Sequence, residues 1–335
     1  MKHLSILILS LSIFLGLSSC QNDTPNESTP KPTIQKSRVK VPKFDGDKAY
    51  ALVEKQLSFG HRIPGTLEHK ATKDWYVEQL KAAGADVQVQ EFKASFLGLE
   101  DKESYNIIAS FNPKNTHRIM LAAHWDSRLI AEKDEDKSMQ EKPIMGADDG
   151  ATGTAILLQI AKILKENAID LGIDIVLFDA EDQGDSNGAQ TTWCLGSQYW
   201  GKNPHVPNYK ATFGILLDMV GAKDAQFGLE GFSFANAGEI QKKIWGLARG
   251  MGYSDYFQNF KAGQITDDHY YVMTHRQFPM VDIINMPKNP TTGETSFGHY
   301  HHTHKDNIDI VSKRTLKVVG QVVTAVIYKE SDGSF

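Results

Sequence analysis

An α/β fold, a three-layer sandwich with a central, mostly parallel, twisted sheet flanked by helices, is predicted by three features of this sequence. Helical and strand patterns alternate along most of its 335 residues, which is the mark of a parallel sheet between helices. Strand candidates such as Ile173–Phe178 ("IDIVLF") are unbroken apolar runs that stop abruptly at polar residues, as buried strands do. Acids and histidines stand at those stops, on the edge where open α/β sheets gather ligands.

The elements follow in order. Helical spacing runs through Asp45–Gly60 and Thr66–Gly84, each closed by its terminal glycine. Strands are expected over Asp86–Ala94, Ser104–Phe111 and His117–His124, and a helix with a wide apolar face over Gly150–Asn167. The strands Ile173–Glu181 and Ala211–Gly221, the helix Ala237–Gly252, the strand Gln277–Asn285 and the helix Ser312–Glu330 complete the alternation. No repeat and no second linker interrupts it, which favours one catalytic domain over residues 44–335.

The N-terminus reads as an address. Lys2 and His3 precede an apolar stretch, Leu4–Leu17, and small residues lead into Cys20, so residues 1–19 are expected to be a signal peptide. The ending "LSSC" resembles a bacterial lipobox, which makes Cys20 the lipidated first residue of the mature chain. A Sec signal with an incidental cysteine and a transmembrane anchor are the alternatives, although the apolar run is short for a span. Residues 20–43 are polar, rich in Pro, Ser and Thr, and without periodicity, as a flexible tether is. The expected location is the bacterial cell envelope, periplasmic or outer-membrane, with membrane contact through the lipid anchor only. Acylation of Cys20 leaves Cys194 as the one other cysteine, so no disulfide is expected. The balance of 36 basic against 41 acidic residues, net −5, provides no basic field for nucleic acid, and a monomer is expected.

The chemistry-bearing residues sit at strand ends. "AHWDSR" supplies His124 and Asp126, "GADDGATG" Asp148 and Asp149, "FDAEDQG" Asp179, Glu181 and Asp182, "LLDMVG" Asp218, and "HYHHTHKDN" a histidine cluster with His302. Adjacent carboxylates repel unless a cation or a shared proton compensates them, so either a metal lies near Glu181 and Asp182 or the acids form a solvated loop. Each motif alone has a bland reading. His124 fits a satisfied core histidine, Asp148 or Asp149 a helix N-cap, and Asp218 a lone hydrogen-bonded acid. Jointly they fit a zinc site assembled from separate loops, since zinc takes histidine nitrogen and carboxylate oxygen.

In this order the motifs resemble the zinc aminopeptidase and glutaminyl cyclase superfamily, from about Phe44 to the C-terminus. The resemblance implies Asp149, Asp182 and His302 as metal ligands, His124 and Asp218 as holders of a second metal or as its neighbours, and Glu181 as general acid/base. The family usually shows Glu-Glu where this chain has Glu181-Asp182, so one ligand is a methylene shorter. Within the superfamily, aminopeptidases commonly read Ser-Asp-His where the cyclases read Asp-Asp-His. This chain has Asp267-Asp268-His269, which implies a catalytic Asp267, and its stretch looks most like bacterial glutaminyl cyclases of the animal type. The animal enzymes have histidine in place of Asp282. Trp193, with Trp200, is expected to wall the substrate pocket, and His269 to belong to it. The implied activity is glutaminyl-peptide cyclotransfer on N-terminal glutamine of peptides or proteins, an acyltransferase reaction using one zinc ion, with Asp218 and Asp267 orienting Glu181 and substrate. A dinuclear zinc aminopeptidase with two zinc ions is the alternative, and a non-catalytic peptide- or metal-binding lipoprotein is the third.

Overall fold

The computed structural model describes residues 38–335. The signal peptide, Cys20 and most of the tether expected over residues 20–43 lie outside the described residues. Helices α1 (Gly46–Leu57) and α2 (Leu67–Ala82) lead into strands β1 (Asp86–Phe96), β2 (Leu99–Phe111) and β3 (Arg118–His124), then α3 (Ala151–Glu166) and β4 (Gly172–Phe178). There follow α4 (Leu195–Lys202), β5 (Gly214–Asp218), β6 (Phe227–Leu229), α5 (Gly231–Gly250), β7 (Phe257–Lys261), α6 (Asp268–Arg276), β8 (Met280–Ile284) and α7 (Lys313–Asp332).

The main sheet has six strands in the order β1-β2-β4-β3-β5-β8, with β6 and β7 as a separate parallel pair. The β1–β2 hairpin pairs antiparallel with β4 at one side, while β4, β3, β5 and β8 run parallel. Every residue of β4, β5 and β8 is buried, which requires cover on both faces and explains their unbroken apolar runs. Helix α3 packs on β3 and β5 and against α1 and α7; α4 and α6 pack on each other, α4 against β2 and α6 against β5 and β8. Helix α7 buries Leu316, Val319, Val322, Val323, Val326 and Ile327 completely, each worth roughly 1.5–3 kcal/mol of apolar burial. A Cβ at Gly153 would stand 2.3 Å from the Leu217 carbonyl oxygen, so glycine lets α3 lie close on β5.

Register sets the level of the strand ends. His124 pairs with Phe178, and Ala122 with Leu216, so His124, the start of the 179–184 loop and Asp218 emerge side by side. β3 lies between β4 and β5: the chain passes from β3 through α3 to β4 on one side, then crosses back through α4 to β5 on the other. That is a topological switch point, where such sheets open a crevice.

The elements expected from the sequence all form. Helices α4 and α6 and strands β6 and β7 were not foreseen. Helix α4 ("LGSQYWGK") is short and contains two glycines, and α6 ("DHYYVMTHR") is rich in weak helix formers. Helix α5 begins at Gly231, where Glu230 caps it by accepting from Phe232 N at 2.7 Å and Ser233 N at 2.6 Å, and it kinks at Ala237, the residue at which the sequence places the start of the helix. The same carboxylate takes Ile265 N at 3.1 Å and His269 Nε2 at 3.1 Å, so one buried acid joins α5, α6 and the 263–266 segment. Burial pushes the Glu230 carboxyl up, but the His269 hydrogen bond and charge and the backbone donors outweigh it and bring it down to about 2. A depressed carboxyl stabilises the fold above its unfolded value of 4.5 and loses that contribution as pH falls toward 2. At about 1.4 kcal/mol per unit this amounts to on the order of 3 kcal/mol. Denaturant titrations of Glu230→Gln should therefore show lower stability than the parent at pH 7 and a flatter decline between pH 4.5 and 2.

Candidate active site

Glu181 and Asp182 reach the crevice from the loop after β4, in which Ala180 takes a left-handed φ of 52°. Asp126, fully buried just beyond β3, accepts from Glu181 N at 3.0 Å, Asp182 N at 3.2 Å and Gln183 Nε2 at 2.9 Å. Its Oδ1 also faces His124 Nδ1 at 3.4 Å. Arg128 fastens the other side of the loop, donating to Asp182 O at 2.7 Å and Gly184 O at 2.9 Å. Asp179, the first acid of the run, does not enter the crevice. It is buried with His69 Nε2 at 2.8 Å and accepts from Tyr105 N and Ala180 N. The three acids thus divide: Asp179 anchors the loop, while Glu181 and Asp182 face the cavity.

Asp149 comes from the turn before α3. Neither it nor Asp148 caps that helix, whose N-cap is Gly150. Asp148 instead accepts from Gly221 N at 2.6 Å, Thr152 Oγ1 at 2.9 Å and the Tyr300 hydroxyl. Asp306 accepts from the backbone of Asp148 at 2.7 Å and Asp149 at 3.2 Å. His124 Nε2 lies 3.1 Å from Asp149 Oδ1 and 3.2 Å from Asp218 Oδ1. His302, itself at φ 58°, points Nε2 at Asp182 Oδ1, 2.9 Å away.

The donors fit a metal ion of the zinc kind. Nitrogen and carboxylate atoms of Asp149, His301 and His302 lie within 4.8 Å of one another, as do those of His124, Asp149 and Asp218. Asp149 Oδ2 and Asp182 Oδ2 are buried without hydrogen-bond partners, although buried carboxylate oxygens are ordinarily satisfied. Two buried carboxylates with open oxygens beside His302 are the kind of donor set that zinc takes, and His301 joins Asp149 and His302 within the same 4.8 Å cluster. Burial lifts the Asp182 carboxyl, with Asp149 adding to the rise and His302 opposing it. For Asp149 the hydrogen bond and charge of His124 and the charges of His301 and His302 overcome burial and hold it below the usual range.

A cavity of about 510 Å³ opens over these groups, walled by Asp149, Glu181, Asp218, Asp267, Trp193 and Phe297 among others. Glu181 Oε1 accepts from the buried Cys194 thiol at 3.1 Å, and Glu181, Cys194 and Asp267 bring polar atoms within 4.8 Å. Burial lifts Glu181 well above the carboxylate range, opposed by His124 and assisted by Asp267, Asp182 and Asp268. Asp218 is pushed up to about 8, by burial first, against its hydrogen bond from His124 and with help from Asp149 and Asp267. Carboxyls raised in this way can take up and release a proton closer to neutral pH than an exposed acid does.

The cavity gathers most of the residues expected at it, including Trp193, whose ring lies 5.7 Å from that of His302. A Cβ on Gly184 would run into this ring at 1.9 Å, so the glycine leaves it room. Two expectations need correction. His269 is fully buried behind the wall, because it pairs with Glu230, and Trp200 is fully buried against Phe178 and Tyr209. The segment Leu129–Met145, unassigned from sequence, clamps the histidine turn. Glu132 Oε1 lies 2.6 Å from His302 Nδ1, Lys133 Nζ 2.6 Å from His301 Nδ1, Asp134 Oδ2 2.9 Å from His304 Nδ1, and Lys305 Nζ donates to Glu135 at 3.0 Å. Because Asp126 satisfies two backbone donors, a side-chain amide and His124 inside the protein, Asp126→Ala should lose on the order of 3 kcal/mol in denaturant titration at pH 7.

Comparison with known proteins agrees with this geometry. The glutaminyl-peptide cyclotransferase of Drosophila melanogaster is 26% identical over 281 residues, covering 76% of this chain and 73% of that protein. Among solved structures, the glutaminyl cyclase of Tannerella forsythia is 46% identical with a TM-score of 0.81, and a Zn-dependent exopeptidase from Parabacteroides distasonis is 46% identical with a TM-score of 0.83. Each of these alignments covers 86% of this chain and 99% of the other. Residues 106–327, well over half of the sequence, match Peptidase family M28, and the chain belongs to that family.

Proposed function

We propose that this protein is a glutaminyl-peptide cyclotransferase, converting N-terminal glutamine of peptides or proteins to pyroglutamate with release of ammonia. The observation that carries the reading is the approach of Asp267 to Glu181 within 4.8 Å, since Asp267 is the acid that the cyclase-like Asp-Asp-His motif supplies. Likeness over nearly the whole length of the Tannerella forsythia glutaminyl cyclase supports it. The N-terminal features support a lipid-anchored envelope protein, with Cys20 as the acylated residue.

Asp149, Asp182 and His302 would hold zinc, which when bound supplies Lewis acidity toward the glutamine side-chain carbonyl. Nucleophile and electrophile belong to one residue, so the protein gains by fixing the reactive conformer. The α-amine nitrogen bonds to the side-chain carbonyl carbon and the carbon–nitrogen bond of the amide breaks. Glu181 accepts the amine proton and returns it to the departing nitrogen, which leaves as ammonia. Asp218 and Asp267 orient Glu181 and the α-amine. Trp193 closes one side of the cavity and limits access of water.

Glu132 serves the metal indirectly. Its 2.6 Å contact with His302 Nδ1 holds the ring so that Nε2 faces Asp182, the arrangement in which outer carboxylates raise ligand basicity.

A dinuclear aminopeptidase is the second reading, favoured by His124 Nε2 lying 3.1 Å from Asp149 and 3.2 Å from Asp218. Elemental analysis combined with product mass separates the two. One zinc per chain and loss of a single ammonia from a Gln-initiated peptide is the cyclase result; two zinc ions and loss of the whole first residue is the peptidase result. Glu181→Gln should lower ammonia release at least about a hundredfold while leaving zinc content unchanged. Glu132→Ala should weaken zinc about 10- to 100-fold in competition with a chelator, a measurement independent of turnover.

A further inference from the structure

The cavity wall carries several carboxylates and, among the described residues, one lysine or arginine: Lys133. Its ammonium donates to His301 Nδ1 at 2.6 Å and stands 5.7 Å from the centre of the Phe297 ring. Among the described residues it forms no ion pair with a carboxylate, although acids abound nearby. An ammonium has three donors, so two remain for a ligand in the cavity.

The height of Lys133 above the floor follows from the stack beneath it. His302 rests against Asp182, His301 lies on His302 with ring centres 3.7 Å apart, and Lys133 donates to the edge of His301 at Nδ1. One ring spacing matches about one residue of extended peptide, roughly 3.5 Å. Lys133 therefore lies about one residue's length from His302, within reach of the second residue of a substrate whose first side chain lies over Asp182 and His302. Among the residues lining the cavity, Asp185 toward its rim is a further acid and Lys133 the one basic side chain of the Lys/Arg kind, so away from the ion-binding floor this lysine is the partner the wall offers an entering carboxylate.

We propose that Lys133 is a specificity-determining residue, selecting substrates that carry a carboxylate on the residue following the N-terminal glutamine. The inference rests on the cyclase reading and adds the preferred substrate class. A partly exposed pair of this kind is worth up to about 1 kcal/mol, which is about a fivefold preference.

The test compares kcat/KM for two peptides identical except at the second position, Gln-Glu and Gln-Lys, with the full protein and with Lys133→Met, which keeps the length and removes the charge. The expected result is that the parent favours Gln-Glu about fivefold, that added salt narrows the preference, and that Lys133→Met brings the ratio close to one. A ratio unchanged by the substitution, or an equal fall on both peptides, overturns the inference and makes Lys133 a support for His301 alone. Absence of ammonia release from either peptide by the parent protein overturns the cyclase reading, and this inference with it.

Discussion

Gathering Asp149, Glu181, Asp182, Asp218 and Asp267 around one sheltered cavity is the constraint on which the rest of the structure depends. Like charges so close disfavour one another's ionisation, and burial adds to the cost. The surroundings answer this group by group. His124 places both ring nitrogens among acids, Arg128 holds the 182–184 backbone from behind, and Asp126 and Asp306 spend their oxygens on loop amides. What these leave open are one oxygen each of Asp149 and Asp182, buried without a hydrogen-bond partner, as a carboxylate awaiting a cation is. Glu181 is left protonatable beside it. On the proposed function, metal binding and proton transfer are two outcomes of one electrostatic problem, solved differently for adjacent residues.

The loops that solve it are conformationally costly. Ala180, Cys194, Met219 and His302 all have φ between 46° and 58°, a region that side chains with a Cβ seldom adopt. Each costs on the order of 1 kcal/mol or more. Such positions persist only where the surroundings over-determine them, and here the supports are visible: Asp126 under the loop of Ala180, the backbone bonds of Cys194 N and Leu195 N to Glu181 O and Ala180 O, and the Glu132 clamp on His302. The fully buried strands and α7 supply the stability that lets the crevice keep this geometry.

How much of this was legible in the sequence depends on the range of the interaction. The buried strands and long helices were, because continuous apolar runs and 3.6-residue periodicity are local consequences of burial on both faces or one. The cavity acids were legible too, because an α/β sheet delivers strand ends to one edge and acids at the ends of apolar runs need a reason. The supporting shell was not. Nothing near Glu230 tells of His269, nothing near Glu132 of His302, and "EKDE" reads equally well as solvated surface. The expectation for His269 misplaced it for the same reason: its neighbour Asp267 faces the cavity, but the first turn of α6 rotates His269 behind the wall, toward an acid distant in sequence. Helices α4 and α6 escaped because tertiary packing on each other, rather than propensity, makes them helical.

The Glu132–Glu135 clamp also bears on the order in which the molecule assembles. It joins residues 170 positions apart, and a closure of that span is entropically supported only once the chain between has been shortened by folding. The intervening chain includes α3, β4, β5 and β8, that is, most of the sheet. Loop-closure entropy therefore favours a late meeting of the histidine turn and the charged segment, on a core already formed, with the contacts at the reactive end of the protein among the last to be made.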